Sequence, residues 1–232
     1  MYKNKTIIGI ITARSKSKGL PKKNIKLLAG IPLIARTIQQ AKKSRYLDKL
    51  IVSTDGIEIA EISCLYKADV PFLRPKRLAK DKSSSVDTLL HALDWYKKDN
   101  IYFDIIVLLQ PTSPLRTAED IDNSIELLFS KKAKAIVSVC EAEHHPYWAN
   151  ILPKNGSMKN FLSVEIKNKN RQSLPIFYRL NGAVYTAFSD YFIRQNGFFG
   201  DKTFSYIMPK ERSVDIDTEL DFKFAELLCR KT

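Results

Sequence analysis

Two stretches far apart in the chain concentrate groups able to handle phosphate. The first is Ala13-Arg14-Ser15-Lys16-Ser17-Lys18-Gly19-Leu20-Pro21-Lys22-Lys23-Asn24. Its lysines and arginine supply charge, and Gly19 lets the backbone come close to an oxyanion. It lacks the spacing of a G-x-x-x-x-G-K-[ST] loop, and a basic surface loop would have the same composition. The second is Ser213-Val214-Asp215-Ile216-Asp217. Residues two apart on an extended segment point the same way, so Asp215 and Asp217 can share one hard divalent cation, with Val214 and Ile216 facing the core. An exposed edge or a helix-cap pair of acids fits the same spacing. A lysine-dense loop together with a hard-cation pair makes nucleotidyl transfer the economical combination.

Smaller groups fit around these. Ser83, Ser84 and Ser85 suit either a helix cap or a polar contact. Gln110 follows an apolar run, where its amide can read a base or ribose edge or close a turn. Asp55, in Thr54-Asp55-Gly56, is a further polar contact or a turn residue. Arg171, Gln172, Tyr178, Arg179, Asn181 and Gly182 mix fork-shaped and amide donors suited to a carboxylated, acylated sugar, or form a surface loop. His91, His144 and His145 are the only histidines, and with Cys140 nearby they complete no structural zinc pattern.

Positioning these groups requires a sheet. Thr6 to Ala13, Lys49 to Ser53, Asp104 to Leu109 and Ala135 to Val139 read as buried, parallel strands. Helices alternate with them: Pro32 to Lys43, Ile57 to Tyr66, Ser83–Ser85 onward to Lys98, and Thr117 to about Phe129 with acids in its first turn. Ser205 to Met208 reads as a last strand and Thr218 to Leu228 as a closing helix. The pattern is α/β, one domain over residues 1–232, with helices covering a mostly parallel sheet. Between Glu141 and Tyr191 the rhythm breaks at Pro146, Pro153, Gly156 and Pro175, so about 141–191 reads as an inserted subdomain. In such a sheet, ligands bind beyond the carboxyl ends of the strands, so the loops after Ala13, Ser53, Leu109 and Val139 should share one crevice.

Composition narrows the class. The chain has 232 residues, 44% of them hydrophobic, and is neither collagen-like nor disordered. Its apolar runs are strand-sized, well short of the roughly 20 residues that cross a bilayer, so no membrane insertion is expected. Met1 to Ile10 carries two lysines before an apolar run without a small-residue cleavage pattern, which reads as a mature strand of a cytoplasmic protein. Cys64, Cys140 and Cys229 are widely spaced and odd in number, which fits a reducing compartment. Residues 1–50 hold 13 Lys or Arg and one acid, Asp48, and so carry +12 of the net +13. A nucleic-acid footprint, capture of a small polyanion and solvated helix lysines all produce such a surplus.

Taken together, these blocks resemble the acylneuraminate cytidylyltransferases, which join CMP to sialic acid and related nine-carbon keto acids. Ala13-Arg14 through Lys23-Asn24 matches the family's A-R-x-x-S-K-G-[LI]-P-x-K-N signature. Gln110-Pro111-Thr112-Ser113-Pro114-Leu115-Arg116, Leu180-Asn181-Gly182-Ala183-Val184-Tyr185 and the Asp215-x-Asp217 pair follow in order. The resemblance implies a Rossmann-like nucleotidyltransferase domain whose insert packs against a second subunit of a homodimer. It implies that Arg14, Lys23, Asp215 and Asp217 are catalytic, with Mg2+, or Mn2+ substituting, on Asp215 and Asp217. It places Ala13, Arg14, Ser17, Gly19, Lys23, Asn24, Ser83, Ser84, Ser85 and Gln110 toward the nucleotide, and Gln110, Arg171, Gln172, Tyr185, Asn181 and Gly182 toward the sugar. Two departures stand out. Many members have Gly-Gly where this chain has Ser15-Lys16, and an acid where it has Ser173.

The implied reaction is in-line attack of the sugar's anomeric hydroxyl on the α-phosphorus of CTP, releasing pyrophosphate. Magnesium and the basic loop would neutralise phosphate charge, and an Asp-bound or metal-bound water would take the proton. The rivals are a cytidylyltransferase acting on the eight-carbon acid Kdo and a basic nucleic-acid-binding module. Asn181-Gly182 and Asp215-x-Asp217 favour the nine-carbon branch, whose partners are CTP and a keto sugar acid with no nucleic acid.

Overall fold

The computed structural model describes residues 1–16, 19–80, 83–163, 166 and 169–230, and of Arg171 the backbone alone. Ser17, expected at the nucleotide, lies outside them. In chain order the elements are β1 (Ile7–Ala13), a short ribbon of β2 (Leu27–Leu28) and β3 (Ile31–Pro32), α1 (Leu33–Lys43), β4 (Lys49–Thr54) and α2 (Ile57–Leu65). Then follow α3 (Ser85–Lys97), β5 (Ile105–Leu109), α4 (Ala118–Ser130), β6 (Ala135–Glu141), β7 (Tyr178–Phe188), α5 (Ser189–Gln195), β8 (Thr203–Ile207) and α6 (Glu219–Cys229).

The apolar strands feed two layers because successive side chains leave opposite faces of a sheet. Ile7 and Ile11 of β1, with Ile105, Val107 and Leu109 of β5, pack against Ile34 and Ile38 of α1 and Ile121 and Ile125 of α4. Ile8, Ile10, Ile106 and Leu108 turn the other way, onto Leu89 and Ala92 of α3 and Tyr191 and Phe192 of α5. A third cluster joins α6, through Phe222 and Ala225, to Leu20, Leu28, Val214 and Ile216. That cluster fastens the basic loop and the acid-bearing segment to one helix.

Helix starts follow their caps. Ser84 accepts from the Asp87 amide at the head of α3. Thr117 and Asp120 form a reciprocal capping box on α4, and Thr218 and Asp221 do the same on α6.

The six-stranded sheet has the order β4-β1-β5-β7-β6-β8. Every strand shares one direction except β7, which is antiparallel to both β5 and β6. This corrects the expected insert: residues 178–191 belong to the central sheet and α5, and the described residues between 142 and 177 lie outside the sheet. Because β7 runs backward, its amino-terminal end, with Asn181 and Gly182, lies at the edge where β1, β4, β5 and β6 end. Connections from β1 to β4 and onward to β5 diverge on either side of β1, which opens the crevice of an α/β sheet at that edge.

Folding pairs part of the charge of residues 1–50 with acids from later in the chain. Lys5, Lys22, Lys23, Lys26, Arg45 and Lys49 form ion pairs with Asp104, Glu58, Asp217, Glu219, Asp122 and Asp69, all from beyond residue 50. Among the described residues, no helix is long and apolar enough to cross a membrane.

Candidate active site

At the crevice lies a cleft of about 550 Å³. The loop after β1 contributes Arg14, Gly19, Lys23 and Asn24, the start of α3 contributes Ser83, Ser84 and Ser85, and the end of β5 contributes Gln110. Asp215 and Asp217 also line the cleft, beside the basic loop. Ten of the residues singled out in the sequence therefore share one surface. Thr12, Arg74, Lys80, Thr88 and Thr112 join them without having been expected.

The basic loop is locked to the acid segment. Lys23, only 9% exposed, places Nζ 3.0 Å from Asp217 Oδ1 and also donates to the carbonyl of Ile216. A Cβ on Gly19 would stand 2.3 Å from the carbonyl oxygen of Asp217, so glycine is required there by close approach of two backbones. From the other side the Ile216 amide donates to the Thr112 carbonyl at 2.8 Å, tying the segment to the loop after β5. Burial pushes the Asp215 pKa above its ordinary value, and the neighbouring Asp217 charge adds to this against the Thr112 hydroxyl, Lys23 and Arg179.

Arg74 sits 6% exposed on the cleft wall. Its Nε donates to Ser53 Oγ at 3.1 Å, and a second nitrogen donates to the Ser53 carbonyl. Burial pushes its pKa down to about 10, opposed by Asp55. Its one signal was the spacing from Phe72: residues two apart on an extended segment share a face, and Phe72 and Arg74 are buried while Leu73 between them is exposed.

The loop after β5 is built on another buried guanidinium. Arg116 donates through Nε to the Ala183 carbonyl at 2.9 Å and through a second nitrogen to the Gln110 carbonyl, so it sets the end of β5 against β7. Gly182, at φ +68°, lies against Gln110: a Cβ there would stand 2.6 Å from Oε1 of that side chain.

Several expected sugar contacts are placed elsewhere. Asn181 is fully buried and turned inward, which corrects its assignment to the sugar. Its Oδ1 accepts from Ser138 Oγ at 2.6 Å and the Ala183 amide at 3.1 Å. Its Nδ2 donates to Ser213 Oγ at 2.9 Å and Met208 Sδ at 3.3 Å. An interior amide must meet all its partners, and here they come from three separate strands and segments. Gln172 is exposed on a short turn, Arg171–Ser173, outside the cleft lining. Tyr185 is half-buried and packs edge-on against Phe198, and burial together with the Asp215 charge raises its pKa. Ala13, expected at the nucleotide, is 1% exposed at the end of β1 and is not among the residues lining the cleft.

A family model for cytidylyltransferases matches residues 8–232. A CMP-N,N'-diacetyllegionaminic acid synthase of Legionella pneumophila is 37% identical over 227 residues, covering 96% of this chain and 95% of that protein. The chain belongs to the acylneuraminate cytidylyltransferase family. An N-acylneuraminate cytidylyltransferase of Escherichia coli is also 37% identical, over 97% of this chain, although the chain spans 52% of that longer relative. Among solved structures, a CMP:2-keto-3-deoxy-manno-octonic acid synthetase complexed with CTP superposes with a TM-score of 0.70 over 97% of this chain and 99% of that one. At 14% identity that likeness establishes the fold. This acylneuraminate cytidylyltransferase family member is thus an enzyme of the nucleotidyltransferase class, with its cleft at the sheet edge where the fold predicts it.

Proposed function

We propose that the protein transfers CMP from CTP to the anomeric hydroxyl of a nine-carbon 2-keto sugar acid. The observation that carries this reading is the cleft that Arg14, Lys23, Arg74, Asp215 and Asp217 line together. The anomeric oxygen forms a bond to the α-phosphorus while the bond from that phosphorus to the β-phosphate oxygen breaks, and pyrophosphate leaves. Arg14 and Lys23 hold the triphosphate and offset charge gathering on the leaving group. Ser83, Ser84, Ser85 and Gln110 orient the ribose and base, and confinement in the cleft supplies the in-line geometry. The hydroxyl proton would pass to a water held by the Asp215 or Asp217 carboxylate.

Asp215 and Asp217 suit a hard cation. Both offer oxygen and both line the cleft, and burial first, then the neighbouring Asp217 charge, raises the Asp215 pKa, a cost that a bound cation would offset. Among the described residues no three His, Cys, Asp or Glu gather as a metal cluster, so phosphate and water oxygens would complete the shell. The two aspartates would hold Mg2+, or Mn2+ in its place, and the ion would supply electrostatic neutralisation of the phosphates.

The sugar acid would lie beyond Gln110, on the side where Gly182 packs against that side chain. The segment 142–177 exposes Tyr147, Trp148, Ile151, Leu152 and Met158, an apolar surface suited to a second copy in a homodimer. Equal identity to a legionaminic and an acylneuraminate enzyme puts both acids at the head of a substrate panel.

The test is pyrophosphate release from CTP and Mg2+ with N-acetylneuraminic, legionaminic, pseudaminic acid and Kdo in turn. Turnover with a nine-carbon acid is expected. Turnover with Kdo alone, or no CTP-dependent release with any of them, would overturn the reading.

A further inference from the structure

The Arg14–Ser15 peptide is held at both of its polar groups by side chains from different parts of the chain. Its carbonyl, on Arg14, accepts from Nδ2 of the buried Asn24 at 2.9 Å. Its N–H, on Ser15, donates to Asp55 Oδ1 at 2.8 Å, and the Ser15 hydroxyl donates to Asp55 Oδ2 at 2.6 Å. Asp55 is itself set by the end of β4. The following Gly56 amide donates to Thr54 Oγ1 at 3.1 Å, and a Cβ on Gly56 would stand 3.0 Å from Ser15 Cβ. Both carboxylate oxygens are thereby used on one residue, in charge-assisted bonds of the stronger kind.

We infer that Asp55 is a positioning residue for nucleotide binding, clamping the Arg14–Ser15 peptide so that the Arg14 side chain enters the cleft already oriented. The inference rests on the proposed triphosphate role of Arg14. It also accounts for one departure from the family pattern. Where many members carry Gly-Gly, this chain has a hydroxyl that a carboxylate captures, so the loop gains a second anchor in place of glycine's freedom. With its amide committed to the Arg14 carbonyl, Asn24 holds the same peptide from the opposite side. The Ser15 N–H is spent on Asp55, so among the described residues of this stretch the Arg14 and Lys23 side chains are the cleft-lining cations offered to phosphate. Ordering the loop before the ligand arrives removes that entropic cost from the binding step, and the effect belongs in the affinity for CTP.

Steady-state kinetics of Asp55→Ala, Asp55→Asn and Ser15→Ala, with residue-resolved hydrogen exchange at the Ser15 amide, would test this. Asp55→Ala is expected to raise the KM for CTP about tenfold, with kcat within about threefold and the sugar-acid KM unchanged. Asp55→Asn keeps an oxygen that accepts from the Ser15 N–H and should recover most of the loss. Ser15→Ala should weaken CTP less than Asp55→Ala and add nothing in that background, as expected of two residues in one interaction. Ser15 amide protection should fall at least about tenfold in Asp55→Ala and persist in Asp55→Asn. An unchanged CTP KM in Asp55→Ala, equal rises in both KM values, or unchanged Ser15 exchange would overturn the inference. Failure of the unaltered enzyme to turn over CTP would instead overturn the proposed function, and the exchange measurement would then judge the clamp without turnover.

Discussion

Lys23 and Asp217, 194 positions apart in the chain, meet at 3.0 Å across the floor of the cleft. The lysine side chain is 11% exposed and the aspartate side chain 78%, so the buried partner is the fixed one and the aspartate is the one able to turn toward a ligand. A pair so unequally exposed contributes little to stability but sets the cation that an arriving triphosphate meets. Replacing Lys23 by Met should lower kcat/KM for CTP by at least about 10²-fold, or about 2.7 kcal/mol of transition-state stabilisation. Thermal melting should change little. Steady-state kinetics beside a melting curve separates the two effects.

Metal dependence should follow the two aspartates. Chelation with EDTA should abolish pyrophosphate release, and Mg2+ or Mn2+ should restore it. Asp217→Asn should raise the Mg2+ concentration for half-maximal rate by about tenfold or more, whereas Asp215→Asn, at the more buried of the two positions, should leave no measurable turnover. A Mg2+ titration of each variant at fixed CTP reads both outcomes.

Asp215 also predicts a pH response of definite sign. Its folded pKa lies above its ordinary value, from burial first and from Asp217 second. Protons therefore compete with the cation at a higher pH than an ordinary aspartate would show, and Asp217→Asn should move the acid limb of metal binding to lower pH. In the window between the unfolded and the raised folded pKa, the folded state binds more protons, so this group's contribution to stability declines as pH rises through that window. At neutral pH ionised Asp215 costs stability. Asp215→Asn should raise Tm at pH 7 while removing activity, with each kcal/mol worth about 2–4 °C in a chain of this size. The gain should shrink as pH approaches the ordinary carboxylate range. Calorimetry across pH checks it.

Gly182→Ala should disturb Gln110. The added methyl would overlap the Gln110 amide at 2.6 Å, and a φ of +68° is strained for any residue with a Cβ. A stability loss of about 1–2 kcal/mol is expected, with a rise in substrate KM as the amide is displaced. Urea unfolding and kinetics on the same preparation measure both.

Asn181→Asp should be costly although nearly isosteric. It replaces the amide nitrogen that donates to Ser213 Oγ and Met208 Sδ with an oxygen, inside a fully buried site. A loss of about 2–4 kcal/mol is expected from the unpaired buried group. Because Ser213 stands two residues before Asp215, the Mg2+ requirement should rise as well. An unaltered sugar KM in the surviving fraction would separate this bracing role from direct sugar contact.

Much of the cleft was legible before folding was considered. Arg14, Gly19, Lys23, Asp215 and Asp217 were singled out for their chemistry and spacing, and all line the cleft. Strand and helix positions followed from apolar period and caps, as at Thr117 and Thr218. The course of β7 did not, because an antiparallel strand placed between β5 and β6 is a long-range pairing that no local pattern encodes. The expected insert over 141–191 therefore ran too far. The charge of residues 1–50 left three readings open for a related reason: acids that pair with six of its cations lie elsewhere in the chain.

The amino-acid order settled which chemical groups are available and, through hydrophobic period and helix caps, the elements that carry them, since those rules act between neighbours. Folding settled which way the polar groups turn. Asn181 faces inward because Ser138, Ser213 and Met208 converge on it, and the Arg14–Ser15 peptide is fixed because Asn24 and Asp55 reach it from opposite sides. A buried hydrogen-bonding group takes its orientation from partners that must all be satisfied at once, and those partners assemble when distant segments pack.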